Sequence, residues 1–176
     1  MVDESCSQAL TALAGAIEME KRGQAFYRDA AAQAVDPLAR TTLEGLAADE
    51  MEHLRLLEAQ YQAIAETGRW ACFLDLAPKD SYKPQSVFPD TPGLAEDLAD
   101  RASAVKVLEQ AMQFEEKGYR LYKAAANGTD DLEGRAVYEY LARQEDEHYR
   151  ILQQTHEYLL HPHRLFDDME RPMFEG

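Results

Sequence analysis

Residues 104–156 overlay residues 9–61 without a gap. Identities across that shift include Leu13/Leu108, Glu20/Glu115, Gly23/Gly118, Tyr27/Tyr122, Arg40/Arg135, Leu46/Leu141, Glu50/Glu145, His53/His148, Arg55/Arg150 and Leu57/Leu152. Each copy reads as two helical patterns broken by a turn, which is a helical hairpin. A hairpin exposes one apolar face, so two hairpins packed face to face bury a shared core. The repeat predicts an all-α four-helix bundle of two repeated hairpins.

Apolar spacing sets the elements. The first helix is expected over about 5–34, with a seam of Leu10, Leu13, Ile17, Glu20, Gln24, Tyr27 and Ala31 at alternating steps of three and four. Asp36-Pro37 breaks it and starts the second, which runs to about Glu66. That seam is Leu43, Leu46, Glu50, His53 and Leu57, then Tyr61 or Ile64. The third long helix is expected over about 94–126, stopped by Asn127-Gly128-Thr129. Thr129 or Asp130 can cap the fourth, which ends at Leu160 before His161-Pro162. Hairpins 5–66 and 94–160 thus flank a connection over about 67–93 that holds four prolines. Such a length suits a crossover from one end of a bundle to the other. The tail, 161–176, carries Leu165, Phe166, Met169 and Phe174 and is expected to dock as a short helical piece. A single domain over 1–176 follows.

The formal net charge of −15 and pI of about 4.7 set nucleic acid and anionic membranes aside as partners. The excess acid reads as a solvated surface, with attraction of cations such as metal ions as the alternative. Cys6 and Cys72 form no C-x-x-C pair and read as free thiols. The start, MVDESCSQAL, lacks the basic and apolar runs of a signal peptide, and no apolar run of membrane-spanning length occurs. The expected compartment is the cytoplasm.

Six polar residues interrupt the apolar seams: Glu20, Glu50, His53, Glu115, Glu145 and His148. Each hairpin supplies one Glu from its first helix and Glu-x-x-His from its second. Residues three apart share a helix face. Four buried carboxylates are costly without counter-charge. Two histidines cannot neutralise them, whereas two divalent cations can. Mixed carboxylate and imidazole donors suit two iron ions or two manganese ions per chain, which ligand type alone does not separate, and zinc can use the same set.

EKRGQAFYRDAA (20–31) and EEKGYRLYKAAA (115–126) resemble the E-x6-Y helices of rubrerythrins, and DEMEHLRLL and QEDEHYRIL resemble their E-x-x-H helices. The resemblance to this ferritin-like di-iron carboxylate family covers the four helices. It implies bridging roles for Glu50 and Glu145, with Glu20 and His53 on one metal and Glu115 and His148 on the other. It implies that Tyr27 and Tyr122 hydrogen-bond ligand carboxylates. It also implies a homodimer. Two departures stand out. Rubrerythrins typically carry a carboxylate where this chain has Gly118, the mate of Gly23, and many carry a rubredoxin domain that this chain lacks. The site is therefore more symmetric, and electrons must come from an external donor such as a rubredoxin-like protein. The expected activity is reduction of peroxide or dioxygen at a di-iron site, in keeping with a role against oxidative stress. A ferroxidase and a non-catalytic metal-binding module are the alternatives.

Lesser features take plainer readings. Gly23 and Gly118 serve close helix packing or leave an open space beside each terminal Glu for dioxygen or peroxide. His156, His161 and His163 read as cap or surface residues. Cys72, between Trp70 and Phe73, reads as a packed thiol. Met19, Met112 and Phe114 read as core or interface.

Overall fold

Helix α1 spans Glu4–Gln33, α2 Pro37–Thr67, α3 Phe73–Leu76, α4 Leu98–Gly128 and α5 Leu132–Leu160 in a computed structural model that describes residues 4–78 and 98–161. The described residues contain no strand. Helix α1 packs along α2 and α4 along α5; α2 faces α5 and α1 faces α4 across the wider gap between hairpins. That gap is where the polar seam residues lie. No helix among the described residues is long and apolar enough to cross a membrane.

The repeat reaches into the turns. Asp36 caps α2 by accepting from the Ala39 backbone N–H, and Asp131 caps α5 by accepting from those of Glu133 and Gly134. Each cap satisfies helix-end donors that would otherwise lack a partner. Asp131, rather than Thr129 or Asp130, is the cap because the Thr129 hydroxyl accepts from the Asp131 N–H instead. One turn in, Arg40 donates to the Ala34 carbonyl and Arg135 to that of Thr129, so each hairpin turn is clamped by the same arginine. Gly68 ends α2 in the left-handed region at φ 71°, its N–H donating to the Ile64 carbonyl.

Two apolar clusters fill the interior. One contains Leu13, Ile17, Leu57, Tyr122, Tyr138 and Leu141; the other contains Tyr27, Leu43, Leu46, Leu108, Leu152 and Leu159. Between them, in sequence along every long helix, sit the six polar seam residues. The core is therefore divided by a polar layer.

Some seam expectations shift. Gly23 is buried, while Gln24 and Leu10 are half-buried. A straight helix repeats every 3.6 residues, so a seam written at 3.5 drifts by a position. Ile64 is buried and Tyr61 is exposed; Gln60 is buried as well, because its amide exchanges hydrogen bonds with the Ala71 backbone and ties the crossover to α2. Trp70 packs edge-on against Tyr138 and Phe73 tilts against Tyr140. Cys72 lies between them as the residue preceding α3 and is exposed, contrary to the packed thiol expected: its two aromatic neighbours occupy the inward positions. Both cysteines are free. Met19 and Met112 are half-buried against the two clusters. His161 is exposed and His156 pairs with Glu109 at 3.5 Å. The expected start of the third long helix at 94, most of the crossover, the docking of the tail and His163 lie outside the described residues.

Candidate metal centre

The six polar seam residues meet in one layer. Glu20 projects from α1, Glu50 and His53 from α2, Glu115 from α4, and Glu145 and His148 from α5; each is at most 2% exposed. Their donor atoms form two groups, Glu20–Glu50–His53–Glu145 and Glu50–Glu115–Glu145–His148, each within 4.8 Å and each able to hold a metal ion. Glu50 and Glu145 belong to both.

The donor atoms themselves argue for a cation. Both oxygens of Glu50 and of Glu145, one oxygen each of Glu20 and Glu115, and Nδ1 of each histidine are buried with no hydrogen-bond partner. Leaving such atoms unpaired costs on the order of 1–3 kcal/mol each, and more where they are charged. His53 Nδ1 lies 3.6–3.7 Å from carboxylate oxygens of Glu20, Glu50 and Glu145, and His148 Nδ1 lies 3.5–3.8 Å from those of Glu115 and Glu50. These spacings are long for hydrogen bonds and suit atoms that face a common ion. Four carboxylates and two neutral imidazoles match two divalent cations in charge.

One oxygen each of Glu20 and Glu115, and Nε2 of His148, are engaged from outside. The Tyr122 hydroxyl on α4 donates to Glu20 on α1, and the Tyr27 hydroxyl on α1 donates to Glu115 on α4. Each hairpin thus steadies the terminal glutamate of the other. His148 Nε2 lies 3.3 Å from Asp49 Oδ2, and the two imidazoles stack with centroids 5.3 Å apart. A carboxylate behind a ligating histidine fixes its tautomer and raises its basicity. Asp49 has no mate in the repeat, since Gln144 stands at the corresponding position and donates to Glu147. The signal for Asp49 was its place directly before Glu50, but helical position alone does not reveal a contact reaching across to α5.

Without metal, the buried charges share protons unevenly. Burial raises the Glu50 and Glu145 carboxyls well above the ordinary range, and the charges of Glu20 and Glu115 raise them further. Burial also works to raise Glu20, but the Glu50 carboxyl, His53 and Tyr122 outweigh it and hold Glu20 at about 2. Glu115 is likewise lowered, as His148 overcomes burial. The histidines are raised despite burial, His53 chiefly by Glu20 and His148 to about 10 chiefly by Glu115. Burial and these carboxylates raise both phenols, Tyr27 and Tyr122, so they stay protonated as donors.

The glycines are part of the site, not openings beside it. A Cβ at Gly118 would come within 2.9 Å of Glu145 Cδ, and one at Gly23 within 2.7 Å of the Phe114 ring and 3.4 Å of Glu50 Cδ. The open space considered for dioxygen or peroxide is filled by the shared carboxylates and by Phe114, whose ring also meets Tyr27 edge-on.

Residues 8–133, well over half of the chain, match the ferritin-like domain family. The chain belongs to that family. No curated protein sequence matches it. A hypothetical protein from Pyrococcus furiosus superposes on this ferritin-like chain with a TM-score of 0.64 at 24% identity, over 86% of this chain and 90% of the other. That likeness concerns the fold alone. The ferritin-like bundle and its buried Glu/His layer are compatible with a di-iron site.

Proposed function

We propose that this ferritin-like protein is a rubrerythrin-like di-iron oxidoreductase that reduces peroxide or dioxygen. The observation that supports it most is the convergence of eight unpartnered donor atoms into two groups that share Glu50 and Glu145. In this reading Glu50 and Glu145 would be shared by two iron positions, Glu20 and His53 would complete one, and Glu115 and His148 would complete the other. Iron held there would supply one electron per ion, the two electrons that, with two protons, reduce one peroxide to two waters. The protein's part is positional. The shared carboxylates set the separation of the two positions, and Tyr27 and Tyr122 hold the terminal glutamates in place. The two apolar clusters close the layer from both ends of the bundle, and the phenols retain protons beside the donor groups. An external one-electron carrier such as a rubredoxin-like protein returns the electrons, and a homodimer in the cytoplasm is the expected form.

One observation favours a second reading, a ferroxidase with Fe²⁺ as substrate. The space at Gly118, where rubrerythrins typically place an extra carboxylate, is taken by Glu145, which leaves the two positions symmetric. Stopped-flow absorbance of the diferrous protein, mixed separately with peroxide and with oxygen, tests both. Peroxide oxidation far faster than oxygen oxidation supports the peroxidase. Repeated turnover of excess Fe²⁺ with oxygen supports the ferroxidase. No oxidation by either sinks both and leaves a metal-binding module.

A further inference from the structure

A cleft of about 220 Å³ opens between α4 and α5, lined by Glu115, Glu116, Tyr119, Glu145, Asp146 and Tyr149. Two of these are ligand glutamates of the buried layer. Glu145 has two buried oxygens without a hydrogen-bond partner and Glu115 has one. The cleft therefore ends against two residues of the donor group that contains His148. Among the described residues no basic side chain lines it. Arg120 and Arg150 pair with Glu116 and Asp146 one turn along each helix, but these pairs are exposed and hold their carboxylates weakly. At roughly 30 Å³ per water, the volume takes about seven waters, enough for a divalent ion with its hydration shell.

The repeat provides a comparison within the same molecule. The positions matching Glu116, Tyr119, Asp146 and Tyr149 hold Lys21, Gln24, Met51 and Leu54. Lys21 sets an ammonium where the other half sets a carboxylate, and it lies by Glu18 and Glu58 at 3.6 and 3.9 Å. Leu54 is packed against the apolar cluster. On that face Lys21 offsets part of the charge of Glu18 and Glu58, and Met51 and Leu54 offer no carboxylate or hydroxyl.

We propose that the α4/α5 cleft is the door through which divalent metal ions load the centre, with Glu116 and Asp146 as outer receiving carboxylates and Glu145 passing the ion inward. This rests on the two-metal reading of the buried layer. Glu145 belongs to both donor groups, so an ion admitted at the His148 position reaches the His53 position through a carboxylate that both share. The His53 position then fills through the His148 position, and the His148 position exchanges its ion first.

Loading of the metal-free protein with Co²⁺ tests this, followed by stopped-flow absorbance at low ionic strength. Glu116→Lys/Asp146→Met installs at the cleft the residues that the first half carries. Met51→Lys/Glu52→Lys makes the same charge change on the mirrored face, again at exposed positions. The cleft variant is expected to load about tenfold more slowly, with two Co²⁺ still bound at the end, while the mirrored variant loads at the wild-type rate. A cleft variant that loads as fast as wild type overturns the proposal, as does an equal slowing in both, which would assign the effect to the overall field. The readout is metal binding, so a fully loaded protein inert to peroxide and oxygen would sink the proposed function while leaving the rate comparison intact.

Discussion

On the His53 side of the centre, the face outside the ligands carries Lys21, Gln24, Met51 and Leu54; on the His148 side the same positions carry Glu116, Tyr119, Asp146 and Tyr149. Inside the layer the halves match residue for residue: Glu20 with Glu115, Tyr27 with Tyr122, Glu50 with Glu145, His53 with His148. The difference lies in what surrounds them. Asp49 backs His148, whereas Gln144 is occupied with Glu147. Gly118 makes way for Glu145 directly, whereas Gly23 mainly makes way for Phe114. Two donor groups of the same composition thus sit in unlike surroundings, and the two positions should differ in access and affinity rather than in the donors they offer.

The sharpest way to break this comparison is at a shared carboxylate. Glu50→Ala should abolish binding of two metals per chain, because Glu50 serves both groups. Glu20→Ala and Glu115→Ala should each spare one position. Elemental analysis after loading decides, and two metals retained in Glu50→Ala would refute the ligand assignment.

Acidity comes next. His148 holds its proton up to about 10 in the metal-free protein, and Glu50 and Glu145 are raised as well. A metal needs the neutral imidazole and the carboxylates, so binding releases protons and strengthens as pH rises. Glu20, at about 2, is already ionised and releases none. Affinity should fall about tenfold per pH unit for each proton displaced. Titration calorimetry at two pH values in buffers of different ionisation enthalpy measures this, and a pH-independent affinity would contradict it.

Asp49→Ala should weaken metal binding about 10–100-fold, at one position only, while Gln144→Ala should leave both unchanged. Competition with a coloured chelator resolves the two steps. Equal weakening of both steps in Asp49→Ala would show that the halves are not distinct. The smallest contrast is in the glycines. Gly118→Ala should lower affinity by about 1–3 kcal/mol, the usual range for overpacking, because the added methyl meets a ligand. Gly23→Ala should chiefly lower thermal stability, since its methyl meets the Phe114 ring first. Melting curves with and without metal distinguish the two.

Much of this was legible in the chain order of residues. A repeat of helical hairpins dictates a bundle, because each hairpin has one apolar face to bury. Carboxylates and histidines at seam positions of all four long helices dictate a polar layer, because helical periodicity decides which residues face inward. Aspartate before Pro37 and before Leu132 marks helix starts for the same local reason. What periodicity cannot carry is reach between elements. That Tyr27 serves Glu115 and Tyr122 serves Glu20, across hairpins, depends on how the helices are offset along one another. That Asp49 meets His148, that Gly118 yields to Glu145, and that a cleft opens beside α4 and α5 all depend on distances between side chains far apart in the chain. The sequence by itself determined which groups are buried in the layer. Only tertiary packing decided which of them fall in both donor groups, which are braced, and which line a cleft.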